Sequence, residues 1–174
     1  MQRSSGILLH ISSLPSPYGI GSFGRAAYEW VDFLAAAGQS YWQVLPMGPT
    51  GYGDSPYQSF STFAGNPYFI DLDTLIEAGR LLPADVTGNW GENPARVDFG
   101  LIYARRLGVL RRAYQNALLS EATRHRLTAF SQDNVNWLDD YALFMALKDA
   151  FGGRPWSEWP EPLRQRDPSA LWAY

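Results

Sequence analysis

A strand, a helix and a second strand fit into the first 45 residues of this chain, and that order leaves few folds open. Residues 6–11 form a continuous apolar run around His10, the pattern of a strand covered on both faces. Residues 25–37 place Ala27, Trp30, Val31 and Leu34 on one helical stripe, with Gly38 positioned to stop the helix. Residues 41–45 are aromatic and β-branched and end at Pro46. Two strands joined through a helix run parallel. In parallel α/β folds, ligands bind beyond the C-terminal ends of the strands.

Both long loops of the chain leave from those ends. Residues 12–24 contain Pro15, Pro17, Gly19, Gly21 and Gly24, and His10 faces them from the strand end, where a hydrogen-bonded scaffold role is expected. Residues 46–67 interleave Gly48, Gly51, Gly53 and Gly65 with Pro49, Pro56 and Pro67, which rules out helix and ladder strand alike. Between them stand Tyr52, Asp54, Ser55, Tyr57, Gln58 and Ser59: flat rings beside hydrogen-bonding groups. That mixture suits a sugar, whose C–H face meets a ring while its hydroxyls need donors and acceptors. The same composition also suits a packed Ω-loop whose rings plug the fold. The position of the loop at a strand end favours binding.

The rest of the chain reads as mostly helical. Residues 69–73 lead into a short helix, with a capping-box spacing from Thr74 to Glu77 and Gly79 as its stop. Asp98 caps a helix with Phe99, Ile102, Leu107, Leu110, Tyr114 and Leu118 on one face. A weaker helix covers residues 121–132, and a third, carrying Trp137, Leu138, Tyr141, Phe144, Met145 and Leu147, ends at Gly152 and Gly153. Trp156 and Trp159 mark an aromatic loop, and Asp167-Pro168 opens a last helix. That helix has no C-cap, and two parallel strands close no sheet, so the chain is expected to be truncated. A net charge of −3 without a basic stripe argues against nucleic acid, and no stretch reaches membrane-span length. With no cysteine there is no disulfide framework and no thiolate metal site, and a cytoplasmic location is expected.

Three stretches carry a resemblance: GILLHISSLPSPYGIGSFG, then YWQVLPMGPTGYGDSPYQSFSTFAGNPYFIDL, and later DYALFMALKDAFGGRPWSEWP. They closely resemble the N-terminal region of amylomaltases, the 4-α-glucanotransferases of glycoside hydrolase family 77. The resemblance implies an α/β fold, the N-terminal part of a TIM (β/α)8 barrel. Residues 1–79 would supply its first two strands, its first helix and the glucan-binding loop. Residues 80–174 would form a mainly helical insertion, cut within a helix. The implied activity is retaining transfer of α-1,4-glucan segments between maltooligosaccharides, with glucose as an acceptor and with no metal or cofactor.

The catalytic aspartate, glutamate and second aspartate of the family lie beyond Tyr174, so none is assigned here. Asp71, Asp73 and Asp98 read as helix starts. The resemblance matches Tyr57 to the tyrosine that stacks on the sugar beside the cleaved bond and Ser55 to an acceptor-side serine. Asp54 and Gln58 fall in the same substrate-binding motif, and Tyr52 with Tyr103 matches a second glucan site. The piece alone is expected to be inactive, and self-association is open to it. A rival reading from another class is a non-catalytic aromatic α-glucan-binding module, with Tyr52, Tyr57 and Tyr103 as its platform.

Overall fold

Strands β1 (Gly6–Leu8) and β2 (Tyr41–Gln43) pair in parallel, with Gly6 opposite Tyr41 and Leu8 opposite Gln43. The computed structural model describes residues 3–174, apart from the side chain of Tyr52. Pairing runs one residue further, where the Leu9 amide donates to the Gln43 carbonyl at 3.0 Å. Gly6 allows the approach: a Cβ there would lie 2.6 Å from the Tyr41 carbonyl oxygen. Helix α1 (Arg25–Ala36) makes the crossover. It stops where Gly38 takes φ +70° and the Gly38 and Gln39 amides return to the carbonyls of Ala35 and Leu34.

Both strands are shorter than their apolar runs, and neither is covered on two faces. Ile7 is 39% exposed and Leu8 57%. The cover that these apolar runs call for is not supplied within this chain. Of the stripe on α1, only Ala27 and Leu34 are buried, while Val31 stays exposed, so this single helix seals little of a two-stranded sheet.

The main core lies instead among the segments that follow the strands. Ile11, Leu14 and Ile20 come from the loop after β1, Phe69 and Leu72 from the end of the loop after β2, and Leu81, Val86, Trp90, Ile102 and Ala113 from further on. Helix α2 (Leu72–Glu77) begins at Asp71, whose Oδ1 accepts from the Thr74 amide at 2.8 Å. The cap is therefore Asp71, one of the residues read as helix starts, and it lies three residues before the capping-box position Thr74.

Helix α3 (Phe99–Ala117) is capped by Asp98, as expected. Its buried row differs from the apolar stripe. Leu107 and Tyr114 are exposed, and the row toward the core is Ile102, Arg106 and Ala113, flanked by Val109 and Leu110. An arginine stands where the pattern called for an apolar side chain.

Contacts divide the chain into two units, Met1–Thr123 and Arg124–Tyr174. The boundary proposed at residue 79 separates barrel segments from inserted ones. It is a different division from this one, because residues 81–113 share a core with the first 79. After α4 (Glu121–Asp133), which buries none of its residues, come α5 (Leu138–Ala150), α6 (Glu161–Arg164) and α7 (Pro168–Leu171). The second unit has its own small core of Leu147, Trp159 and Leu163. A tight turn at Trp156–Glu158 delivers Trp159 to it, and Asp167 caps α7 as expected.

Candidate functional site

The loop after β2 is closed at its base and tied within itself. The Asn66 amide donates to the Met47 carbonyl at 2.8 Å, and the buried Asn66 side chain accepts from the Tyr68 amide at 2.9 Å. Inside the loop, the Ser59 hydroxyl donates to the Ser61 carbonyl at 2.7 Å, and the Ser61 hydroxyl accepts from the Phe63 and Ala64 amides. A glycine-rich segment gains a fixed shape from such short bonds without burying much apolar surface.

Three of the candidate residues share one turn. The Ser55 hydroxyl accepts from the Tyr57 amide at 3.3 Å, and the Ser55 carbonyl accepts from the Gln58 amide at 3.2 Å. Ser55 is half-buried and organises the turn, while Tyr57 stands 72% exposed at its crest. A ring held by its backbone and open on its faces can receive the C–H face of a sugar.

Asp54 precedes that turn in a left-handed conformation, φ +57°, which short polar side chains tolerate best. Burial raises its carboxyl above the ordinary range. Burial, and then the charge of Asp54, push the Tyr68 hydroxyl up to about 12. The ring of Tyr68 tilts against Tyr103 at 5.6 Å, and Tyr103 against Phe99 at 6.1 Å. Tyr68 thus connects Asp54 with Tyr103, and the sequence reading had passed over it. Its signal was Asn66-Pro67, a turn start that fixes where the next ring goes. The backbone of Tyr52 lies in the tight turn Tyr52–Asp54, while its side chain, and so its pairing with Tyr103, lies outside the described residues.

Elsewhere the titratable groups hold the scaffold. His10 Nδ1 is buried with no hydrogen-bond partner, and the imidazole meets Phe69 edge-on at 5.3 Å. Burial lowers its pKa, so it packs as a neutral ring and not as the hydrogen-bonded scaffold expected. Asp71 caps α2 and also accepts from the Ser22 hydroxyl at 2.6 Å, while Asp73 accepts from the Tyr18 hydroxyl. Beneath them, Arg106 is fully buried and its Nη2 donates to the Ile70 carbonyl. Burial lowers its pKa to about 10, partly offset by the charge of Asp71. Among the described residues, no three of His, Asp and Glu lie close enough together to hold a metal ion, and no helix is long and apolar enough to cross a membrane.

Residues 9–174 match the family model described as 4-alpha-glucanotransferase. The chain belongs to the 4-alpha-glucanotransferase family. A family member from Thermus thermophilus is 52% identical over 173 residues, which is 98% of this chain and 34% of that protein. One from Clostridium butyricum is 52% identical over 91% of this chain and 32% of its own length. The chain thus spans about a third of these relatives. The solved amylomaltase from Streptococcus agalactiae, in complex with acarbose, superposes with a TM-score of 0.95 at 42% identity. That match covers 99% of this chain and 35% of the amylomaltase.

Proposed function

We propose that this chain forms the substrate-binding part of a cytoplasmic 4-α-glucanotransferase that moves α-1,4-glucan segments between maltooligosaccharides, glucose included as acceptor. Residues 1–79 would be the first two strands, first helix and binding loop of a TIM barrel, and residues 80–174 a helical insertion. The observation that carries the reading is the turn at residues 55–58, in a member of this family. It holds Ser55, Tyr57 and Gln58 together in the long loop that follows a parallel strand, with the Tyr57 ring open.

Retaining transfer needs two carboxylates about 5–5.5 Å apart, one as nucleophile and one as acid and base. Three other aspartates are engaged in holding the scaffold. Asp71 and Asp98 are caps, and Asp73 holds Tyr18. The bond-making carboxylates are therefore assigned to other segments of the barrel, while Tyr57 stacks on the sugar, Ser55 lines the acceptor side, and Asp54 and Gln58 bind hydroxyls. Tyr52 and Tyr103 would form a second glucan site.

Maltotriose is the substrate that tests this. The full-length enzyme is expected to convert it to longer and shorter maltooligosaccharides, and the 174-residue chain is expected to leave it unchanged. In the full-length enzyme, Tyr57→Ala should lower kcat/KM by roughly 0.5–1.5 kcal/mol of transition-state stabilisation, the worth of one aromatic contact, with Tm almost unmoved. Redistribution of maltotriose by the chain alone would overturn the assignment of the carboxylates. A Tyr57→Ala enzyme of unchanged rate and much lower Tm would return Tyr57 to a packing role.

A further inference from the structure

Three consecutive residues at the end of the loop after β2 are each gripped by another part of the chain. The Phe69 carbonyl accepts from the Phe23 amide at 2.9 Å, the Ile70 carbonyl accepts from Arg106 Nη2, and the Asp71 carboxylate accepts from the Ser22 hydroxyl at 2.6 Å. Phe23 and Ser22 belong to the loop after β1 and Arg106 to α3, so two elements pin the same short stretch.

A helix cap needs only one carboxylate oxygen. Asp71 Oδ1 serves α2, accepting from the Thr74 amide and hydroxyl at 2.8 and 3.0 Å. Oδ2 is left for Ser22, which is buried in the other loop. Gly24, where α1 starts, makes room for this approach: a Cβ there would lie 2.1 Å from Oδ2. Asp73 repeats the tie by accepting from the Tyr18 hydroxyl. The Tyr18 ring meets Trp90 edge-on at 6.0 Å, and buried Trp90 packs against the Arg105 guanidinium, whose carbon sits 4.8 Å from the ring centre. Capping α2 requires none of these ties between the two loops.

The path from Asp71 back into the loop has little slack. Pro67 fixes its own φ, Asn66 caps the tight turn Pro67–Phe69, and both Asn66 and Phe69 are buried. The Asn66 amide then closes the loop on the Met47 carbonyl. A shift of Asp71 is therefore passed on to the point where the loop closes. Ser22 and Asp71 also line the same cleft as Gly53 and Asp54, which directly precede the turn at residues 55–58.

We infer that Ser22 and Asp71 are positioning residues for glucan transfer. Their bond ties the loop after β1 to the end of the loop after β2, and so sets where the turn of Ser55, Tyr57 and Gln58 meets the sugar. The inference rests on the proposed function, in which Tyr57 stacks on the sugar, and adds two residues that act through that ring. Such residues matter because a misplacement of about 1 Å can cost about a hundredfold in rate.

A double-mutant cycle in the full-length enzyme tests this, read as kcat/KM for maltotriose below the melting transition of every variant. Ser22→Ala removes the hydroxyl and keeps the cap of α2. It should lower kcat/KM by about threefold to tenfold, no more than Tyr57→Ala does, since it acts through that ring. Added to Tyr57→Ala it should cost nothing further, whereas a purely structural loss multiplies with the other. If Ser22→Ala does not fold, Tyr18→Phe loosens the parallel tie to Asp73, keeps the ring against Trp90, and is held to the same outcomes. Full activity of the single variant, or losses that multiply, would overturn the positioning role and leave the proposed function standing. A full-length enzyme that leaves maltotriose unchanged, or a Tyr57→Ala enzyme at full rate, would overturn the reading beneath it as well.

Discussion

Arg106 is a full charge placed where water does not reach, held by one carbonyl bond and the field of Asp71, with Nε and Nη1 unpartnered. Truncating a buried side chain leaves a cavity in addition to any lost interaction, whereas an apolar group of similar length fills the space. Arg106→Ala is therefore expected to destabilise the chain by roughly 2–5 kcal/mol, from the cavity and the lost bond to the Ile70 carbonyl. Arg106→Met, which fills the space, should cost under about half of that. Urea denaturation checks both, read as a shift of midpoint at constant slope. Equal losses in the two variants would mean that the charge, and not the volume, is what the core requires. None of this was legible in the sequence. Arg105 and Arg106 are adjacent and look alike, yet one rides over Trp90 at the surface while the other is sealed beneath Asp71. Only the phase of α3 distinguishes them.

At the scale of elements, caps and stops were legible and helical phase was not. Gly38, Asp98 and Asp167 act where the sequence places them, because each function is local to two or three residues. The apolar stripe of α3 was misread because its burial depends on what lies opposite: Ile70 and Asp71 receive an arginine where periodicity called for leucine. Helix α2 begins on a residue that the sequence marks as a helix start. Its cap, Asp71, is pulled in two directions. Burial tends to raise its pKa, but the Ser22 hydroxyl, the Thr74 amide and hydroxyl, and Arg106 together hold it below the ordinary 3.8. A carboxylate depressed on folding adds stability above its unfolded pKa and withdraws it as pH falls through the folded one. The chain should therefore lose stability steadily below about pH 4. Asp71→Asn should flatten that acid slope at the cost of roughly 1 kcal/mol at neutral pH. Denaturation midpoints measured across the acid range decide this, and parallel slopes for the two proteins would remove Asp71 from the account.

For the whole molecule, the sequence identified the parallel pair and the long loop, which follow from residue order, but not the turn that Ser55, Tyr57 and Gln58 share. It missed Tyr68 and the core that joins residues 81–113 to the first 79, since both arise from contacts between distant segments. The exposed side chains of Ile7, Leu8 and Tyr41, with Val31 and Phe33 on α1, leave the sheet region apolar and its edges unpaired. Such edges and faces recruit partners. Sedimentation velocity is expected to show concentration-dependent self-association, reduced by Leu8→Lys. Hydrogen exchange should be faster at the amides of β1 and β2 than in the middle of α3. A strictly monomeric chain with its strands as protected as α3 would show that this surface is already satisfied.

The bond from the Asn66 amide to the Met47 carbonyl closes the loop after β2 like a drawstring and brings the ends of the 18 residues between them together. A segment attached in this way is free to vary in length and composition without redrawing the sheet. Even doubling its length would add only about 0.6 kcal/mol of closure entropy. Natural variation among relatives, and deliberate exchange of their loops, can therefore act on this cassette alone. On the proposed function, substrate preference would be a transplantable property, inherited separately from the frame that carries it.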